Sequence, residues 1–101
     1  MIKILKNKNE LFDVIKNNNK LVIDFFADWC QPCQMQGPIL EKIAQNSSFY
    51  FYKININSLD NPTLQKFNVN AIPTIIVLKK GKEVNHFVGL TSEETLLNVL
   101  K

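Results

Sequence analysis

The chain of 101 residues holds two cysteines, and they stand three positions apart in Trp29-Cys30-Gln31-Pro32-Cys33. A largely apolar run, Leu21 to Ala27, leads into them, and the stretch after them reads as helical. Residues one helical turn apart share a face, with Cβ atoms about 5–6 Å apart in a regular helix. A disulfide needs a Cβ separation nearer ~3.8 Å. A small adjustment in a first turn, where backbone hydrogen bonding is incomplete, closes that gap. The spacing therefore permits a reversible intramolecular disulfide.

The same five residues give the two thiols unequal roles. With Cys30 as the N-cap of a helix, Gln31, Pro32 and Cys33 fill its first turn. A capping side chain accepts from the second or third helical N–H, and Pro32 has none to give. The Cys33 N–H is left to bond the Cys30 sulfur. That bond and the positive helix end both favour a thiolate. Cys30 is the expected nucleophile and Cys33 the expected resolving thiol. Cys30 attacks a partner disulfide, and Cys33 then attacks Cys30 and frees the reduced partner. The plain alternative, two small buried hydrophobes, fits less well, because polar Gln31 and Gln34 on either side argue against full burial.

Further residues have chemistry to offer. Asp24 interrupts Leu-Val-Ile-Asp-Phe-Phe, where a carboxylate is expensive to bury without partners. It is either an edge-facing or capping residue, or a buried carboxyl of raised pKa that takes the proton of Cys33. Trp29 is either core or a flat apolar contact beside the reactive sulfur. Lys53, ending an apolar strand, reads as solvent-facing, and lone His86 as a strand-surface residue. Pro73, in Ala71-Ile72-Pro73-Thr74, is trans by base rate and cis only in a tight turn.

The elements that must position these groups follow from periodicity. Ile2, Ile4 and Leu5 suggest a short strand. Asn9 is placed to cap a helix with Leu11, Phe12, Val14 and Ile15 on its apolar face, ended by Asn17-Asn18-Asn19. Leu21 to Phe26 reads as a buried strand, and Cys33 to Asn46 as a helix with Ile39, Leu40, Ile43 and Ala44 facing inward and Pro38 inside it. Phe49 to Ile54 is a strand, and Asn61-Pro62 opens a helix with Leu64 and Phe67 inward. Thr74 to Leu78 and Glu83 to Val88 form a hairpin around Lys80-Gly81. Thr91-x-x-Glu94 fits a capping box for a last helix burying Leu96, Leu97, Val99 and Leu100. The order βαβαβαββα predicts one α/β domain spanning 1–101, with a mixed five-stranded sheet flanked by four helices.

Composition narrows the function classes. Hydrophobic residues at 46% and charged residues at 21% suit a globular protein. The net charge of +3 comes from lysines spread along the chain, with no arginine. No basic stripe marks a nucleic-acid surface, so no nucleic-acid partner is expected. Apolar runs fall far short of the ~20 residues that span a bilayer, and the first residues do not read as a secretory signal. No membrane association is expected, and a cytoplasmic location is. Two cysteines make half of a zinc site, with His86 remote, so no metal is expected.

Taken together, these residues resemble the thioredoxin family along essentially the whole chain. Val22-Ile23-Asp24-Phe25-Phe26-Ala27-Asp28-Trp29-Cys30 is similar to the family's strand entering the active site. Pro38 matches its helix proline, Ala71-Ile72-Pro73-Thr74 its cis-proline loop, and Gly81 and Gly89 its hairpin and groove-rim glycines. The resemblance implies a protein-disulfide reductase that binds no cofactor and receives electrons from NADPH through a thioredoxin reductase. Its implied partners are that reductase and disulfide-containing client proteins, and a monomer is expected. It further implies that Pro73 is cis beside the sulfurs and that the Ile72 backbone pairs with an extended client segment. Trp29, Ile72, Val88 and Gly89 would line an apolar groove. Asp24 would be the buried acid assisting Cys33, with Lys53 modulating it. Three positions depart from the usual pattern: Gln31 replaces glycine, Gln34 replaces lysine, and Phe26 replaces a frequent tryptophan. The alternatives are a dedicated oxidase or isomerase, or an interaction module whose thiols are dispensable.

Overall fold

The computed structural model describes residues 1–101. Its centre is β2 (Lys20–Phe26), buried along most of its length. On one side β2 pairs in parallel with β3 (Tyr50–Asn55), which pairs in parallel with β1 (Lys3–Leu5). On the other side it pairs antiparallel with β4 (Thr74–Lys79), which forms a hairpin with β5 (Lys82–Val88). The mixed sheet thus runs β1-β3-β2-β4-β5. Four helices cover it: α1 (Lys8–Asn17), α2 (Gln31–Ala44), α3 (Asn61–Lys66) and α4 (Glu93–Val99). A short 3-10 turn, Ile56–Ser58, follows β3. The expected order and fold class are those observed.

Strand alternation divides the core in two. Leu21, Ile23 and Phe25 of β2 join Leu5, Ile54, Ile76 and Leu78 against Leu11 of α1 and the partly buried Leu64 of α3. Val22 joins Phe51, Ile75 and Val77 against Leu40 and Ile43 of α2 and Leu96 of α4. Asp24, two residues after Val22, must share Val22's face. It therefore points beneath the helix that carries the cysteines. Strand register completes the row, with Lys53 opposite Asp24 on β3 and Ile75 opposite it on β4.

Three caps differ from expectation by one or two residues. Asn7, not Asn9, caps α1, its Oδ1 accepting the Glu10 N–H at 2.9 Å. Glu10 reciprocates by accepting the Lys6 N–H at 2.9 Å, which locks that choice. Asp60, not Asn61, caps α3 by accepting from Thr63 N–H at 2.9 Å, so Pro62 falls one position into the helix. Ser92, not Thr91, caps α4 by accepting from Thr95 N–H at 3.2 Å. Two side chains expected inside are instead exposed: Phe12, which still meets Phe67 at 6.1 Å between ring centroids, and Leu97.

Candidate active site

The chain leaves the end of β2 through Ala27-Asp28-Trp29 and enters α2 at Cys30. Cys30 has extended backbone and is the N-cap: its Sγ accepts the Cys33 N–H at 3.2 Å. Its own N–H donates to the Ala27 carbonyl at 3.2 Å, and its carbonyl accepts from Gln34 N–H at 3.2 Å. Pro32, lacking an N–H, leaves the Cys33 N–H as the sulfur's partner. Cys30 and Cys33 form a disulfide with Cα atoms 5.2 Å apart, inside the range for such bonds.

Burial corrects one expectation. Cys30 and Cys33 are 5% and 6% exposed, whereas Gln31 and Gln34 lie on the solvent side of the helix. Polar neighbours in sequence say little here, because adjacent helical positions point about 100° apart. The cysteines pack with Ala27 into a small apolar cluster, against which Phe26, Ile56 and Ile72 lie. Gln34 has a job of its own: its Nε2 donates to the Asp28 carbonyl at 3.2 Å, tying the helix back to the loop before Trp29.

Asp24 is 2% exposed, and its Oδ1 has no hydrogen-bond partner. Desolvation pushes its pKa up to about 7, with the nearby Lys53 charge pulling the other way. The edge-facing and capping readings of Asp24 are thereby excluded. Lys53 is not simply solvent-facing either. It is half-buried, and its ammonium stands 5.4 Å from the centre of the Phe26 ring. Asp24, Lys53 and Cys33 line one cleft together with Phe26, Gln34, Pro38 and Glu41. The cleft gives the buried carboxyl a route to water.

The Ile72–Pro73 peptide is cis. Thr74 Oγ1 donates to the Ala71 carbonyl at 2.6 Å, closing the loop on itself, and the Gly89 N–H donates to the Pro73 carbonyl at 2.8 Å. Gly89 holds φ at +86°, a conformation that residues with a Cβ rarely adopt. Trp29 is 72% exposed and is therefore not core. With Ile72 it lines a shallow groove that also includes Ile56, Leu64 and Val69. Val88 and Gly89 do not line that groove. They flank Pro73 instead, Val88 through its pairing with Thr74. His86 is half-buried, with Nδ1 3.1 Å from Glu83 Oε1.

Four residues near the site escaped the sequence reading. Ile56, Leu64 and Val69 look like core in sequence and line the groove in space. Gln36 is wholly buried and bonds the backbone of Thr91. Gln36 stands one turn after Cys33, a spacing that could have placed it on the inner face. No group of three or more His, Cys, Asp or Glu side chains is close enough to hold a metal ion, and no helix is long and apolar enough to cross a membrane.

Comparison with known proteins agrees with this geometry. The thioredoxin family model matches residues 2–101. A thioredoxin of Chlamydia caviae is 38% identical over 101 residues, covering 99% of this chain and 96% of that one. Thioredoxin-2 of Saccharomyces cerevisiae is 42% identical over 91 residues, covering 88% of this chain and 86% of that one. Among solved structures, oxidised mitochondrial thioredoxin 3 of Saccharomyces cerevisiae superimposes with a TM-score of 0.86 at 33% identity, covering 98% of this chain and 92% of that one. Fasciola hepatica thioredoxin gives 0.85 at 30% identity, covering 98% and 96%. A Cys30–Cys33 disulfide whose first sulfur caps a helix, in a chain matched by the family model over residues 2–101, makes this protein a member of the thioredoxin family and a thiol–disulfide oxidoreductase of the disulfide-reductase kind.

Proposed function

We propose that Cys30 is the attacking thiol, Cys33 the resolving thiol and Asp24 the group that moves the proton between them and water. The carrying observation is that Cys33 and the unpartnered Asp24 carboxyl border one cleft, while Cys30 Sγ accepts the Cys33 N–H at the start of α2. In the reduced protein the Cys30 thiolate attacks one sulfur of a client disulfide, and the other client sulfur leaves as a thiolate. Asp24 then takes the Cys33 proton, and the Cys33 sulfur attacks Cys30 Sγ. The intramolecular disulfide forms, and the second client thiolate departs. Two electrons have passed to the client. A pKa of about 7 suits the task, because both forms of the carboxyl are populated near neutrality. Lys53 tunes that balance by favouring the carboxylate.

Trp29 and Ile72 supply the apolar client contact, and Pro73, Val88 and Gly89 form the rim beside it. The exposed Trp29 ring and the hydrogen bond holding Gly89 to Pro73 support this assignment. Electrons return from NADPH through a thioredoxin reductase, so the protein binds no cofactor of its own. In this reading the 101 residues act as one monomeric domain in the cytoplasm, carrying electrons to disulfide-containing proteins and keeping cellular thiols reduced. Equilibration with glutathione buffers tests the direction of flow. A reductase keeps its Cys30–Cys33 disulfide even with reduced glutathione in excess. Loss of that disulfide in an oxidising glutathione mixture would overturn the reading.

A further inference from the structure

We propose that Gln36 is a positioning residue for client binding, fixing the Gly89–Thr91 loop, and through it the Pro73 loop, to the helix that carries both sulfurs. The proposal rests on the reading of Pro73 and Gly89 as the client-contacting rim. Gln36 has no exposed surface and makes two hydrogen bonds to one backbone residue. Its Oε1 accepts the Thr91 N–H at 2.7 Å, and its Nε2 donates to the Thr91 carbonyl at 3.0 Å. Two bonds to one residue fix rotation as well as distance. The chain of bonds then continues. Thr91 Oγ1 donates to the Gly89 carbonyl at 3.0 Å, and the Gly89 N–H donates to the Pro73 carbonyl at 2.8 Å. From Cys33 to Pro73 the path is therefore helix turn, Gln36, Thr91, Gly89, Pro73.

Stability alone does not require this arrangement. A buried amide gains little net free energy over an apolar side chain of similar shape, and it loses much if left unpaired. Leucine at position 36 would hold α2 against the core equally well. It would, however, strand the buried Thr91 N–H and carbonyl, and the loop would have to shift toward water to satisfy them. That shift moves Gly89 relative to the sulfurs. A client bound along the rim senses it, whereas a small disulfide meeting only the sulfur does not.

The test uses the whole chain, comparing insulin turnover driven by dithiothreitol with the single-turnover reaction of the pre-reduced protein, freed of reductant, with the small disulfide 5,5′-dithiobis(2-nitrobenzoate). For Gln36→Leu the insulin KM is expected to rise about five-fold, with kcat and the small-disulfide rate each within about two-fold of wild type. Gln36→Glu adds a signature that a purely structural role lacks. The neutral acid reproduces both bonds, with its hydroxyl donating to the Thr91 carbonyl, whereas the carboxylate has no donor. Its insulin KM, normalised to wild type at each pH, should match wild type in acid and rise as the glutamate ionises. Should Gln36→Leu fail to fold, Gln36→Glu decides alone. Equal losses toward both disulfides, an unchanged insulin KM, or a pH-independent KM ratio in Gln36→Glu would overturn the proposal. Failure of the wild-type protein to reduce insulin would instead overturn the site reading on which it rests.

Discussion

Under α1 and α3 the sheet buries Leu5, Leu21, Ile23, Phe25, Ile54, Ile76 and Leu78, and no ionisable group. Under α2 and α4 the same strands bury Val22, Phe51, Ile75 and Val77 together with Asp24, and Gln36 is buried in the helix above. Both faces are built by the same period-2 alternation. The difference is that the second lies beneath the disulfide. Asp24 gains no hydrogen bond to its Oδ1 in return for its desolvation. The apolar face maximises stability, and the polar one gives some of it up to hold a buried carboxyl in the cleft that Cys33 also lines.

Substitutions on each face test this contrast. The largest expected effect is on the apolar side. Phe25 is fully buried and meets Phe67 at 5.9 Å between ring centroids, so Phe25→Ala should destabilise by about 3–5 kcal/mol. Denaturant melts measure that loss, and the attack rate per folded molecule should not change. Asp24→Asn should do the reverse. Its folded pKa of about 7 lies above the ordinary 3.8, so the fold favours the neutral carboxyl. The stability this group supplies is complete below about pH 4 and is lost as pH rises through about 7. Asn removes that loss, stabilising the protein at pH 8 by at most about 4 kcal/mol. The gain should vanish in melts near pH 4. In stopped-flow assays at neutral pH the same variant should release the mixed disulfide roughly ten-fold or more slowly, with initial attack intact. Equal slowing of both steps would count against the assigned role.

Smaller effects refine the picture. At Gly89 an added Cβ would meet nothing within 4 Å, so only the backbone at φ +86° resists substitution. Gly89→Ala should cost about 1–2 kcal/mol in a melt, mostly as strain. The smallest change is a shift in titration. Lys53→Met removes the charge that favours the Asp24 carboxylate, so its pKa, followed by NMR of the carboxyl carbon, should move further above 7. A downward move would mean that Lys53 acts on something else.

Much of this was legible in sequence, for reasons tied to particular residues. Element order follows from local periodicity, and the Cys33 N–H as partner of Cys30 Sγ follows from the missing N–H of Pro32. Caps were legible only to within a residue or two. Asn7 and Asn9, Asp60 and Asn61, and Thr91 and Ser92 offer competing oxygens, and backbone geometry chooses between them. Cysteine burial does not follow from the polarity of Gln31 and Gln34, because helical rotation turns each residue about 100° from the next. The residues that depend on distant pairing were the hardest. Lys53 meets Asp24 only through the β2–β3 register, and Gln36 finds Thr91 across 55 residues. Nothing local announces either partner.

In the proposed mechanism the two thiols are unequal, with Cys30 favoured as thiolate by the Cys33 N–H at the start of α2. Pulsed alkylation of the reduced protein over about pH 5 to 10, with each site mapped by mass spectrometry, measures this directly. Cys30 should be modified first, with an apparent pKa below the ~8.5 of a free thiol, and Cys33 should lag at every pH. Faster labelling of Cys33, or two equal rates with both midpoints near ~8.5, would contradict that inequality.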